Sequence, residues 1–183
     1  MNMNLKAGIF LLSLIILACT SEQTGKTTTK GNNQSFPDFT VEFPETEYKV
    51  EKTEQYDKSL GVLVTNWVLQ GATENRPFMF FVAHNIVPEK LKSTLENPIS
   101  FEIALKAMLT GSATKLGGTD FSYTKITYKN YKGIESICSV FDGNGLIKSR
   151  IYLIENNLFM VSAGGKDINI ETVDKFLNSF EVK

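Results

Sequence analysis

Two cysteines and one histidine are the groups in this 183-residue chain whose chemistry is easily switched near neutral pH. Zinc normally needs three or four Cys, His or carboxylate ligands, which Cys138 and His84 alone do not supply. A nucleophile–histidine pair would have to recruit His84, yet no Gly-x-Ser-x-Gly turn presents a serine. His84 falls on the strand face shared by Phe80, Val82 and Ile86, where a lone histidine is expected as a hydrogen-bonded core or edge residue. Asp142-Gly143-Asn144-Gly145 lacks the later acidic ligand and flanking helices of a calcium loop, and reads as a turn. Thr110-Gly111-Ser112-Ala113-Thr114-Lys115 has phosphate-loop composition without its glycine spacing, and reads as a helix end. Glu42, Glu45, Glu47, Glu51 and Glu54 lie in alternating or turn segments, where a solvated face is the rule. The expectation is no catalytic set, no metal site and no cofactor.

The two cysteines call for different readings. Cys138 lies in the strand-like run Gly133–Phe141 and is expected to be a small buried apolar residue. Cys19 follows a segment with one cation, Lys6, and then twelve uncharged, mainly aliphatic positions, Ala7 to Ala18. As helix, those twelve residues rise about 18 Å, short of the roughly 30 Å of a hydrocarbon core. This is the pattern of a signal h-region, with small Ala18 before the cut. Ile16-Leu17-Ala18-Cys19 resembles the lipobox of bacterial lipoproteins, although Leu17 is bulkier than the residue usual there. The resemblance implies a diacylglyceryl group on the Cys19 sulfur, cleavage after Ala18 and acylation of the new amino group, as with palmitate. Two or three acyl chains hold a protein on a membrane stably, where one does so only marginally.

Removing Met1 to Ala18 takes away one cation and leaves 18 Lys and Arg against 20 Asp and Glu, a formal charge of −2. No basic footprint for nucleic acid or anionic lipid follows from that balance. Residues 20–35 contain no aliphatic or aromatic side chain, so they are expected to be a disordered tether behind lipidated Cys19. As coil, such a stretch reaches about 20–24 Å. Thr20 stands where the inner-membrane retention signal of enteric bacteria has aspartate. The expected place is therefore the cell envelope, lipid-anchored at the outer membrane, on its periplasmic or surface side.

From Phe36 to Lys183 one globular domain is expected. Phe39, Val41 and Phe43 alternate up to Pro44; Tyr48 to Gln55 and Leu60 to Gly71 follow as strand runs. Phe78 to Val87 is apolar on both faces and reads as a mid-sheet strand. Asn97 and Pro98 open a helix whose apolar positions Ile99, Ile103, Ala104, Ala107, Met108 and Leu116 are expected to be buried, with Gly117-Gly118 ending it. Four strand runs follow (120–128, 133–141, 146–155 and 158–163), separated by hairpin compositions. Asn169 caps a last helix with Ile170, Val173, Phe176 and Leu177 as its buried stripe, and Phe180 and Val182 dock the C-terminus. Strands, helix, strands, helix with hairpin joints predict an α+β fold, a largely antiparallel twisted sheet with helices on both faces.

Three stretches resemble the PsbP-like family, which includes bacterial envelope lipoproteins of the DcrB type. Phe39-Thr40-Val41-Glu42-Phe43-Pro44 resembles its opening strand. Gly133-Ile134-Glu135 with Lys148-Ser149-Arg150-Ile151-Tyr152-Leu153 resembles its paired central strands, and Asn157-Leu158-Phe159-Met160-Val161 through Phe176-Leu177-Asn178-Ser179-Phe180 its closing strand, helix and ending. The resemblance implies an α/β/α sandwich and a binding or assembly role. It carries over no catalytic, metal or cofactor residue.

Two functions are expected to compete. One is a non-catalytic module, held to the membrane by its lipid and docking an envelope protein, with Trp67, Tyr123, Tyr128 and Tyr131 as a candidate aromatic rim or as ordinary sheet residues. The other is a small-ligand carrier or an unrecognised hydrolase, using a pocket between the sheet and the long helix.

Overall fold

Period-two alternation from Phe39 onward becomes strand, and the Asn-Pro step at 97–98 becomes a helix start. The computed structural model describes residues 24–29, 33–35, 38–44, 49–57, 62–73 and 76–183. In chain order the elements are β1 (Thr24–Thr29), β2 (Asn33–Ser35), β3 (Phe39–Glu42), β4 (Val50–Asp57), β5 (Val62–Thr73) and β6 (Arg76–Ile86). Then come α1 (Glu89–Glu96), α2 (Pro98–Thr114), β7 (Thr119–Tyr128), β8 (Tyr131–Val140), β9 (Gly145–Ile154), β10 (Asn157–Lys166), α3 (Ile170–Asn178) and β11 (Glu181–Val182). The fold is mixed α+β. Strands β4 to β10 form one antiparallel sheet in the order β4-β5-β6-β10-β9-β8-β7, with β1 on the outer side of β4. A second, three-stranded sheet runs β11-β3-β2.

The large sheet is two meanders, β4-β5-β6 and β7-β8-β9-β10, linked through α1 and α2. Their last strands join them: Val161 lies opposite Val82 and Gly165 opposite Phe78. This makes β6 a mid-sheet strand, as its two-sided apolar pattern predicts. Alternate strand residues feed two separate cores. Val64, Phe81, Ala83, Ile134, Ile151, Leu158 and Met160 pack with Leu91 and Leu95 of α1 and with Leu105, Met108 and Leu109 of α2. Trp67, Leu69, Phe80, Val82, Tyr152, Phe159 and Val161 pack with Phe39, Val41 and Phe43, with Val173, Phe176 and Leu177 of α3, and with Phe180.

Capping follows the sequence closely. The Asn97 side chain accepts from the backbone N–H of Ile99 at 3.0 Å and of Ser100 at 3.1 Å, and Asn169 accepts from Glu171 at 2.8 Å. At the far end of α2, Gly117 turns to φ 80° while the Gly118 N–H returns to the Ala113 carbonyl at 2.9 Å. That left-handed step suits glycine.

The structure departs from the expectations in five places. The stretch 20–35, read as a disordered tether, carries β1 and β2. Backbone pairing needs no apolar side chain, its threonines are β-branched, and the edge of β4 offers open donors and acceptors. The buried stripe of α2 is Ala104, Leu105, Met108, Leu109 and Ala113, while Ile99, Ile103 and Leu116 are exposed. Helical spacing alone did not tell a stripe of Ile99 and Ile103 from its neighbour one residue on. Helix α1 was not anticipated, because only Leu91 and Leu95 among its charged residues are apolar. Ile170 lies in the first turn of α3 and is exposed, and Trp67 is buried. Phe36, Tyr48 and Leu60 lie outside the described residues.

Candidate functional site

Cys19, the residue with the clearest sequence-based role, lies outside the described residues, as does the segment 1–18. Among the described residues, polar chemistry gathers in three places.

The largest cluster bridges β8, β9 and α3. Strand parity sets Glu135 opposite Arg150, with Lys148 two residues away on the same face. Arg150 Nε donates to Glu135 Oε2 at 2.7 Å, and its Nη1 donates to Asn178 Oδ1 at 2.8 Å. Lys148 Nζ donates to Asp174 Oδ1 at 2.8 Å and lies 3.5 Å from Glu135 Oε1. The side chains of Lys148, Glu135 and Arg150 are only 12%, 16% and 17% exposed, so solvent screens the network little. Beside it, burial pushes the Tyr152 hydroxyl above its ordinary range, opposed by Arg150. Gly133 makes room for that ring: a Cβ there would lie 2.6 Å from Tyr152 Cδ1 and 2.5 Å from the Ile151 carbonyl oxygen. Each charge thus faces a partner inside the protein, and the cluster joins α3 to the sheet.

The second place is His84. Its ring stacks on Phe159, centroids 4.6 Å apart and planes at 9°. Nε2–H donates to Asn157 Oδ1 at 2.9 Å, and Nδ1 lies 3.7 Å from Asp38 Oδ2, an ion pair only for the protonated ring. The nitrogen that would serve a nucleophile in a triad is therefore taken by an amide. His84 shares its sheet face with Phe159, whereas Cys138 packs on the other face with Ala113, Val140 and Ile147. The two do not meet. Cys138 is buried and free, and burial pushes its thiol up, away from the thiolate.

The third place is the outer rim of α2 and β7. Glu102 accepts from Lys106 at 2.8 Å and lies 2.7 Å from Lys125. These hydrogen bonds hold its carboxyl down to about 2. Nearby, the Thr110 hydroxyl meets the Tyr123 hydroxyl and also donates to the Lys106 carbonyl at 2.7 Å. Thr110–Lys115 is helix end, as read from its glycine spacing, and Asp142–Gly143 is turn, with Asp142 at φ 54°.

Among the described residues no group of three or more His, Cys, Asp or Glu side chains could hold a metal ion. None of their helices is long and apolar enough to cross a membrane. The aromatic rim does not form: Trp67 meets Phe39 edge-on at 4.7 Å inside one core, while Tyr123 packs against the other. Tyr128 packs beside Tyr152 and Phe180. The bridging role of Asp174 and Asn178 was not read from the sequence. Its signal was their i, i+4 spacing on a capped helix, opposite a cation pair at i, i+2 on one strand face. No family model matches the chain, and no curated protein matches it.

Proposed function

We propose that this chain is a lipid-anchored protein of the bacterial cell envelope, tethered through Cys19, whose domain serves binding or assembly without catalysis. One observation carries the reading. An apolar stretch of twelve residues, about 18 Å as helix and too short to span a bilayer, ends at a small residue and a cysteine. The anchor belongs at the outer membrane, on its periplasmic or surface side. Two cores on opposite faces of one sheet support an α/β/α sandwich of the PsbP-like kind. The polar network of Glu135, Lys148, Arg150 and Asp174 is paired within the domain and holds α3 to the sheet. The docking partner would be an envelope protein.

Metabolic labelling with a palmitate analogue tests the anchor. Label is expected on the parent chain and lost in Cys19→Ala; no label, or unchanged label in the variant, overturns it. Co-purification from detergent-solubilised membranes tests the role. A reproducible protein partner is expected, and recovery of a small metabolite without one overturns the assembly reading.

A further inference from the structure

Among the described residues, the most exposed apolar side chains gather at one end of the sheet. Tyr56, one residue short of the end of β4, lies opposite Leu63 near the start of β5. The next pair of strands, in register at Val64 and Asn85, brings Ile86 into the same line, facing Asn157 at the start of β10. Tyr56, Leu63 and Ile86 are 59%, 51% and 62% exposed, on three neighbouring strands. Ile99 and Ile103 of α2 are 73% and 57% exposed. They belong to the same end, because α2 climbs away from it: Glu102 meets Lys125, Thr110 meets Tyr123, and Gly118 lies against Cys138, successively further along the sheet. The other large exposed apolar side chains among the described residues, Leu116, Ile137, Phe141 and Ile170, lie towards the opposite end and are 37% to 42% exposed.

Strand β1 decides which end the N-terminus leaves from. It runs antiparallel to β4, with Thr24 opposite Glu54 and Thr29 opposite Val50. The chain therefore enters the sheet at the Tyr56 end. Four residues, 20–23, separate Thr24 from Cys19, and that connection spans at most about 16–18 Å when fully extended. A ten-residue strand such as β10 is roughly 33 Å long. A lipid on Cys19 can therefore hold the Tyr56 end against a bilayer, and the leash is too short to bring the Phe141 end to it instead.

We infer that the end bearing Tyr56, Leu63, Ile86, Ile99 and Ile103 lies against the membrane, with these side chains in the headgroup and acyl boundary. The inference rests on lipidation of Cys19. Exposed aliphatic side chains gain by leaving water. A tyrosine ring suits the headgroup level, and a short leash gives the contact a high effective concentration. The anchor and the apolar end together fix the orientation of the domain, so that the opposite end, with the β8–β9 turn, faces away from the lipid.

The test uses the full lipidated chain, purified from membranes and placed in vesicles of phosphatidylethanolamine and phosphatidylglycerol. Leu63→Cys, Ile86→Cys and Phe141→Cys each carry an environment-sensitive nitrobenzoxadiazole label. Cys138 is buried, and a lipidated Cys19 has no free thiol. Trp67 emission reports that each variant is folded, and the mass of the N-terminal peptide reports the lipid separately. For side chains about 5–10 Å deep, brominated lipids should quench the labels at 63 and 86 roughly threefold more than the label at 141. Ile99→Cys should behave as the first two. On lipidated protein, equal quenching at all positions, or none at 63, 86 and 99, overturns the orientation and leaves the anchor standing. That second result is the one expected if a protein or a second copy covers this end. Absence of lipid on Cys19 overturns both.

Discussion

The two sides of the large sheet are closed by different means. The α1–α2 side is mainly aliphatic, with Phe81 its buried ring, and its two helices are local in sequence: both sit in the one connection between β6 and β7, and Leu105, Leu109, Ile151 and Met160 fill the contact. Its polar content is small, as in the Ser162–Ser149 hydroxyl pair at 2.7 Å. The α3 side is rich in aromatic rings and brings β3 together with the C-terminal segment. Phe39 from β3 and Phe180 before β11 have ring centroids 5.7 Å apart, and Phe159 and Trp67 complete the cluster. Closing so long a loop costs more entropy than closing a local helix pair. Large rings, each burying about 150–250 Å², supply correspondingly more apolar area per residue. The charged network then ties α3 down on its solvent side. In this protein the larger rings sit on the side where β3 and the C-terminal segment meet.

The sharpest way to break this contrast is Phe39→Ala. It should cost about 3–5 kcal/mol and shift Trp67 emission to the red in the folded state, read by denaturant titration and fluorescence. Leu105→Ala, on the other side, should cost about 2–5 kcal/mol and leave native Trp67 emission unchanged. Equal emission shifts in both variants would show that the two cores are not separate. In the network, Glu135→Gln should cost about 1–3 kcal/mol, because Arg150 loses a charged acceptor in a setting with little water. A double-mutant cycle with Arg150→Met should give a coupling energy between the two sites. Asn97→Ala and Asn169→Ala should each cost about 1 kcal/mol, and hydrogen exchange should locate the loosening in the first turns of α2 and α3 respectively.

The smallest effect should be the pH-dependent one. The Glu102 carboxyl is held at about 2, below its ordinary 4.5. Its pairing with Lys106 and Lys125 is thus fully in force above about pH 4.5 and is lost as pH falls towards 2. Lys125→Met should therefore shift the urea midpoint at pH 6 and much less at pH 2, where the carboxyl is about half protonated. The shift should shrink in high salt, because Lys125 is 76% exposed.

Much of the fold was legible residue by residue. The stop at Pro44, the cap at Asn97, the double-glycine end at 117–118 and the turn at Asp142–Gly143 all depend on groups within a few residues of each other. The candidate chemistry was less legible. His84 was placed on the correct strand face from alternation, but its Asn157 and Asp38 partners come from other elements. The Glu135–Arg150–Asn178 bridge needs β8, β9 and α3 in one place, and no single window contains them.

Backbone preference and alternation, both short-range, determined by themselves that this chain makes a largely antiparallel α+β fold. Only the tertiary structure decided that Ile99 and Ile103 face outward, that Trp67 turns inward onto Phe39, and that β1 enters at the apolar end. A helix or strand carries apolar residues on more than one line, and which line is buried depends on the neighbours that long-range closure brings against it.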